Sequence, residues 1–349
     1  MKSLMVFVSC TATVMTSLAQ EATPSLSTGA RDFDFLIGDW RVHHHRQKLN
    51  SNEWMDFEGT ASNRPLMNGM ANLEEHALNM PTDAYRAIAL RAYDAKTREW
   101  AIWWLDSRYP SGPVSPAVVG HFENGVGRFY ADDKLDGKPM VVRFIWSNIT
   151  PTSARWEQAF SFDGGNTWAT NWVMNFERAD SAIATVGATE KADFDFLHGN
   201  WRVHHRFLRV HHGKREWLDA DGTAIHCELM GGRANMEEYI INAPSGSYCA
   251  LALRSFDAKK SQWSIWWLDG RHPHGALDPP VRGRFENGVG TFYGRAALNG
   301  KQTQARFTWS DITPTSARWE QAYSSDEGKT WETNWIMDFQ RAPNATTDD

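Results

Sequence analysis

The chain is written twice. Trp54 returns as Trp217, Trp103-Trp104-Leu105-Asp106 as Trp266-Trp267-Leu268-Asp269, and Ser153-Ala154-Arg155-Trp156-Glu157-Gln158 as Ser316-Ala317-Arg318-Trp319-Glu320-Gln321, each 163 residues later. The opening stretch Asp32-Phe33-Asp34-Phe35-Leu36-Ile37-Gly38-Asp39-Trp40 returns at Asp193 after 161 residues, so two residues were gained between His205 and Trp217. A gain of that size costs little in a hairpin loop. A period this long marks a duplicated domain and excludes a solenoid or propeller. The expected organisation is a first unit over 30–179, a linker over 180–190 and a second unit over 191–343.

Within each unit the texture is all-β. Segments of six to ten residues rich in Val, Ile, Phe, Trp and Tyr alternate with turn signals such as Asn68-Gly69, Asp136-Gly137 and Asp163-Gly164-Gly165. About ten strands are expected per unit, starting near 39, 53, 71, 85, 99, 117, 126, 139, 153 and 168 in the first. Sequential antiparallel strands joined by tight turns favour closure, because closure removes the unpaired sheet edges. The fold class expected is two tandem antiparallel β-barrels.

Gly38-Asp39-Trp40 after a short apolar turn resembles the Gly-x-Trp signature of the lipocalin and calycin superfamily, and Gly199-Asn200-Trp201 repeats it. The resemblance implies that Trp40 and Trp201 plug the closed ends of their barrels, with Arg178 and Arg341, at the ends of the last strands, packed over them. The Phe-Asp-Phe-Leu-Ile-Gly-Asp-Trp opening and the Asp-Gly-Gly-x-Thr-Trp ending also resemble exported bacterial proteins of the uncharacterised DUF1579 type. Small calycin barrels of the nitrobindin kind bind heme through a histidine in the C-terminal strands. Here those strands read Trp172-Val173-Met174-Asn175-Phe176 and Trp335-Ile336-Met337-Asp338-Phe339, without one. Heme is therefore kept as the last alternative, and no cofactor is expected.

Residues 1–19 read as a secretory signal: Lys2, an apolar run from Leu4 to Leu18, and Ser17-Leu18-Ala19 before Gln20. Export to the periplasm or beyond is the expectation. No later stretch is apolar for the ~18 residues that a spanning helix needs. The formal charge is −6 with no basic block, which argues against nucleic acid as a partner. Cys227 and Cys249 remain after the signal. On the expected strand map they lie two strands apart, too far for easy bridging, so two free thiols are expected.

Strand alternation puts Trp40, Val42 and His44 on one face, and Trp201, Val203 and His205 likewise. Two readings stay open for His44 and His205: a base or metal ligand in the pocket, or a histidine that is either bonded to a carboxylate in the core or facing solvent on a short strand. Trp104-x-Asp106-x-Arg108 and Trp267-x-Asp269-x-Arg271 would set an aromatic wall below a charged rim, or the charges would simply pair with each other. The loops Pro110 to Pro116 and Pro273 to Pro280 are long enough for lids. Trp156 with Gln158, and Trp319 with Gln321, should point inward, because the opposite parity would bury Arg155 and Glu157 at a cost of several kcal/mol. Ser161-x-Asp163-x-Gly165-x-Thr167-Trp168 has the Asp-box pattern and reads as a hairpin cap.

No metal site is indicated, since no His, Cys and carboxylate set has zinc spacing. The function expected is binding of a small hydrophobic or amphipathic molecule inside a barrel, by Trp104, Asp106, Arg108, Trp156 and Gln158 and their counterparts Trp267, Asp269, Arg271, Trp319 and Gln321. The alternative is a non-redox barrel enzyme of cyclase, isomerase or hydratase type. It would use His44 with Asp106 or Glu75, or His205 with Asp269, as proton-transfer groups.

Overall fold

A computed structural model describes residues 28–48, 51–114, 116–180, 193–298 and 301–342. The expected signal over 1–19 and nearly all of the expected linker lie outside them. Twenty strands form two closed antiparallel barrels of ten. The first comprises β1 (Gly38–Gln47), β2 (Trp54–Leu66), β3 (Ala71–Leu78), β4 (Tyr85–Asp94), β5 (Glu99–Asp106), β6 (Val118–Glu123), β7 (Val126–Leu135), β8 (Lys138–Ser147), β9 (Ser153–Ser161) and β10 (Ala169–Arg178). The second comprises β11 (Gly199–His211), β12 (Lys214–Leu229), β13 (Ala234–Ala243), β14 (Gly246–Asp257), β15 (Gln262–Asp269), β16 (Val281–Glu286), β17 (Val289–Leu298), β18 (Lys301–Ser310), β19 (Ser316–Ser324) and β20 (Glu332–Arg341). Each strand pairs with its sequence neighbours, and first pairs with last, so no edge is left.

The floor of each barrel is built by the opening motif. A single 3-10 turn, Asp34–Leu36, leads into β1, and Trp40 Nε1 donates to the Leu36 carbonyl at 2.7 Å. Trp40 is fully buried. The Arg178 guanidinium lies 3.9 Å from its ring centroid and donates to the carbonyls of Ile37 and Phe35. Gly38 has φ +108°, a conformation that favours glycine, and a Cβ there would sit 2.9 Å from Arg178 Nη1 and displace the guanidinium. Trp201, Leu197 and Arg341 repeat the arrangement, with the guanidinium 4.3 Å from the ring.

The strands differ from expectation mainly in length. β7 continues to Leu135, because Asp136 and Gly137, at φ +49° and +78°, make a two-residue turn with left-handed φ at both positions. The sequence alone predicts this strand over 126–131, because the run Asp132-Asp133-Lys134 is polar. In the second barrel, where two residues were gained, β11 and β12 are joined by the tight hairpin His212-Gly213.

The barrels pack side by side through the outer faces of β3, β4 and β5 against those of β13, β14 and β15. Ile88, Leu90 and Trp103 meet Leu251, Leu253 and Trp266 in one buried cluster. These strands are therefore apolar on both faces, which accounts for runs such as Trp100-Ala101-Ile102-Trp103-Trp104-Leu105. The junction has a local two-fold. Arg64 Nη2 lies 2.8 Å from Cys227 Sγ, and these residues occupy equivalent positions in the two copies. Both cysteines are free, on β12 and β14, and burial pushes their thiols up in pKa. Among the described residues no helix is long and apolar enough to cross a membrane.

Candidate functional site

Each barrel has a cavity, and the two differ. In the first barrel a space of about 140 Å³ is enclosed by Trp104 of β5, Trp156 and Gln158 of β9, Trp172 of β10, and Glu74 and His76 of β3, among others. Three residues chosen from the sequence, Trp104, Trp156 and Gln158, are thus brought together. Glu74, His76 and Arg91 were not expected there. Glu74 is fully buried, and Arg91 donates to its Oε2 and, at 2.9 Å, to Asn72. His76 Nε2 lies 3.3 Å from the same carboxylate oxygen. Burial opposes ionisation of Glu74, but the Arg91 and His76 charges outweigh it and hold the carboxyl down at about 2.

A chain of cations and rings lies at the upper end of this barrel. Arg46 sits 4.1 Å from the Trp172 centroid and donates to the Tyr85 hydroxyl at 2.8 Å. Arg108 stacks 3.5 Å from the Tyr85 ring and pairs with Asp106 through two nitrogens. Of the two readings of the rim, the structure therefore shows the paired one. Neither Asp106 nor Arg108 lines the cavity. Asp269 and Arg271 pair in the same way, over Tyr248.

The second barrel opens wider. A pocket of about 690 Å³ at its mouth is lined by Ile265, Trp267, Val281, Phe307 and Tyr323, with Asp278, Arg295, Gln302 and Gln321 among its polar groups. Trp267 and Gln321 were expected, whereas Trp319 is buried 5.0 Å from Phe307 and does not line the space. Ala305 stands in the wall where the first barrel has Val142, and Arg295 stands where it has Asp132. No ion pair engages Arg295 among the described residues.

His44 and His205 are core histidines. Each is fully buried, accepts at Nδ1 from an indole (Trp172 at 3.2 Å, Trp335 at 3.3 Å), and lines neither cavity. Burial, helped by nearby cationic side chains, lowers His44 to about 3; burial and His204 lower His205 to about 4. Gly59 and Gly222 make room for them: a Cβ would lie 2.7 Å and 2.9 Å from the respective Nε2 atoms. Glu75, the carboxylate considered beside His44, points outward into the junction between the barrels.

The expected lid loops are partly fixed. Val114 donates its amide to Asp278 at 2.8 Å, and Ser111 Oγ donates to Asp257 at 2.7 Å. Val114 and Leu277 are buried between the barrels. The Asp-box is a hairpin cap: Asp163 accepts from the Thr167 amide and hydroxyl, which hold its carboxyl at about 2.

Residues 31–113 match the model of a family described as "Protein of unknown function (DUF1579)". The match covers the opening motif and strands β1 to β5. No curated protein matches the chain. Among solved structures, a DUF3598-family protein of unknown function from Nostoc punctiforme is 11% identical with a TM-score of 0.29, over 91% of this chain and 100% of that chain. A mutant of the vaccine antigen transferrin binding protein B from Haemophilus parasuis is 9% identical with a TM-score of 0.20, over 86% and 75%.

Proposed function

We propose that this protein binds a small amphipathic molecule in the mouth of its second barrel. The observation that carries the reading is the 690 Å³ pocket walled by Trp267, Phe307 and Tyr323, with Arg295 and Gln321 at hand. Its volume falls in the range of about 300–1,000 Å³ usual for small-molecule sites, and its mixture of rings and few polar groups is of the usual kind. The Arg295 guanidinium, in no ion pair among the described residues, favours a ligand with a negative or strongly accepting head group. The lipocalin-like opening motif and the secretory N-terminus fit an exported carrier or scavenger of such a molecule.

Native mass spectrometry of the full chain purified without detergent, then supplied with single-chain amphiphiles, tests this. One ligand per chain is expected, with binding weakened in Trp267→Ala. Unchanged binding in that variant would show that the ligand sits elsewhere.

A further inference from the structure

The first barrel's cavity presents four polar atoms that no protein group satisfies. Glu74 Oε1, His76 Nδ1, Arg91 Nε and Trp146 Nε1 have no hydrogen-bond partner among the described residues. The four residues are at most 3% exposed, and all line the same 140 Å³ cavity. Buried polar atoms without partners are uncommon and costly, so four around one space point to an occupant.

The second barrel holds the counterpart of this site, and there too Glu237 Oε1, Arg254 Nε and Trp309 Nε1 lack partners among the described residues, so what sets the first barrel apart is His76 and the cavity beside it. Glu237 and Arg254 repeat Glu74 and Arg91, but the position of His76 is taken by Tyr239. The Tyr239 hydroxyl donates to Glu237 Oε2 at 2.6 Å, its ring is fully buried, and Glu237 does not line that barrel's mouth pocket. The shorter histidine in the first barrel bonds the carboxylate from one side and leaves its other nitrogen unpaired.

The chemistry of the occupant follows from these atoms. Glu74 is ionised and only accepts, so His76 donates from Nε2 and leaves Nδ1 as a further polar contact. Trp146 Nε1–H is a donor. The remaining walls are mostly aromatic and aliphatic, with Trp104, Trp156 and Trp172 facing the space. Water would fill it with about four or five molecules, each wanting about three hydrogen bonds, against few polar anchors. One flat ring satisfies the anchors and stacks on the indoles. A cavity of about 150 Å³ takes benzene in an engineered protein core, which sets the size at a single ring.

We propose that the first barrel binds a single-ring planar molecule with an N–H or O–H donor beside an acceptor, held by Glu74, His76 and Trp146. This site is independent of the amphiphile pocket, in barrel, size and chemistry.

The test uses the full chain, calorimetric titration, and three probes: α-pyridone, N-methyl-α-pyridone and benzene. α-Pyridone should bind saturably at one site per chain, about tenfold or more tighter than its N-methyl form, which lacks the donor. His76→Tyr introduces the side chain the second barrel already accommodates, so the fold is expected to survive, as circular dichroism would check. It should abolish α-pyridone binding while leaving amphiphile binding at the second barrel intact. Equal affinity for all three probes, no binding of α-pyridone, or binding retained in folded His76→Tyr would overturn the proposal. Loss of amphiphile binding in Trp267→Ala with α-pyridone binding retained would separate the two sites.

Discussion

Glu75 Oε1 accepts a hydrogen bond from the backbone amide of Met230 at 2.8 Å, across the junction between the barrels. The equivalent bond, from the Met67 amide to Glu238 Oε1, crosses in the other direction at 2.5 Å. Both methionines sit at positive φ, +51° and +50°, where their amides face the neighbouring barrel. Two copies of one sequence thus bury the same face against each other and exchange the same bond, as in a two-fold homodimer.

Removing both acceptors should loosen the junction without opening either barrel. Glu75→Ala with Glu238→Ala leaves two amides unsatisfied, at about 1–3 kcal/mol each. Differential scanning calorimetry should show a lower melting temperature, or a single transition splitting in two. The Glu→Gln pair keeps the acceptor oxygens and should recover most of the loss. An unchanged thermogram for the alanine pair would show that the apolar contacts alone hold the barrels together.

Stability should fall as pH drops below 6.5. His44 and His226 are lowered to about 3 and His205 to about 4, from an ordinary value of 6.5. Between the lowered and ordinary values the unfolded chain binds more protons than the folded one, so stability rises with pH across that window and levels off above it. Each such histidine contributes a slope of up to about 1.4 kcal/mol per pH unit. Urea unfolding at pH 7 and pH 5 should show this. In His44→Gln with His205→Gln the slope should be shallower, with two fewer protons taken up.

The buried pair Glu237–Arg254 should show strong coupling. Glu237→Met strands a guanidinium that is 2% exposed, and breaking such a pair costs about 3–5 kcal/mol. Replacing both residues by Met removes the uncompensated charge and should cost far less than the two single changes together. Denaturation of the four proteins in the cycle measures this. Additive losses would mean that the ion pair contributes little.

Much of this architecture was legible in the sequence because its periodic signals are local. The repeat offset, the turn residues and the alternation in β9 carried the barrels and the inward parity of Trp156 and Gln158, while the floor built by Trp40 and Arg178 came from the resemblance of Gly38-Asp39-Trp40 to the lipocalin opening. The site was harder to read in β3. Its residues Ala71-Asn72-Leu73-Glu74-Glu75-His76-Ala77-Leu78 are buried on both faces, one inside the barrel and one against the other barrel. No polar-apolar alternation survives there, so nothing local told Glu74 from Glu75. The two copies held a signal nonetheless: Glu74 and Arg91 recur as Glu237 and Arg254, while His76 becomes Tyr239. Arg108 and Arg271 lie just beyond their strands, where strand parity no longer decides whether a charge faces the cavity or its neighbour.

The most direct test of the central claim is a fluorescence titration with anilinonaphthalene sulfonate, an anionic ring-bearing amphiphile. The account predicts saturable binding at one site in the wild type, weakened about tenfold or more by Ala305→Phe, which fills the second barrel's mouth. Val142→Phe at the equivalent place in the first barrel should leave the affinity unchanged. Equal affinities in all three proteins, or binding that never saturates, would contradict it.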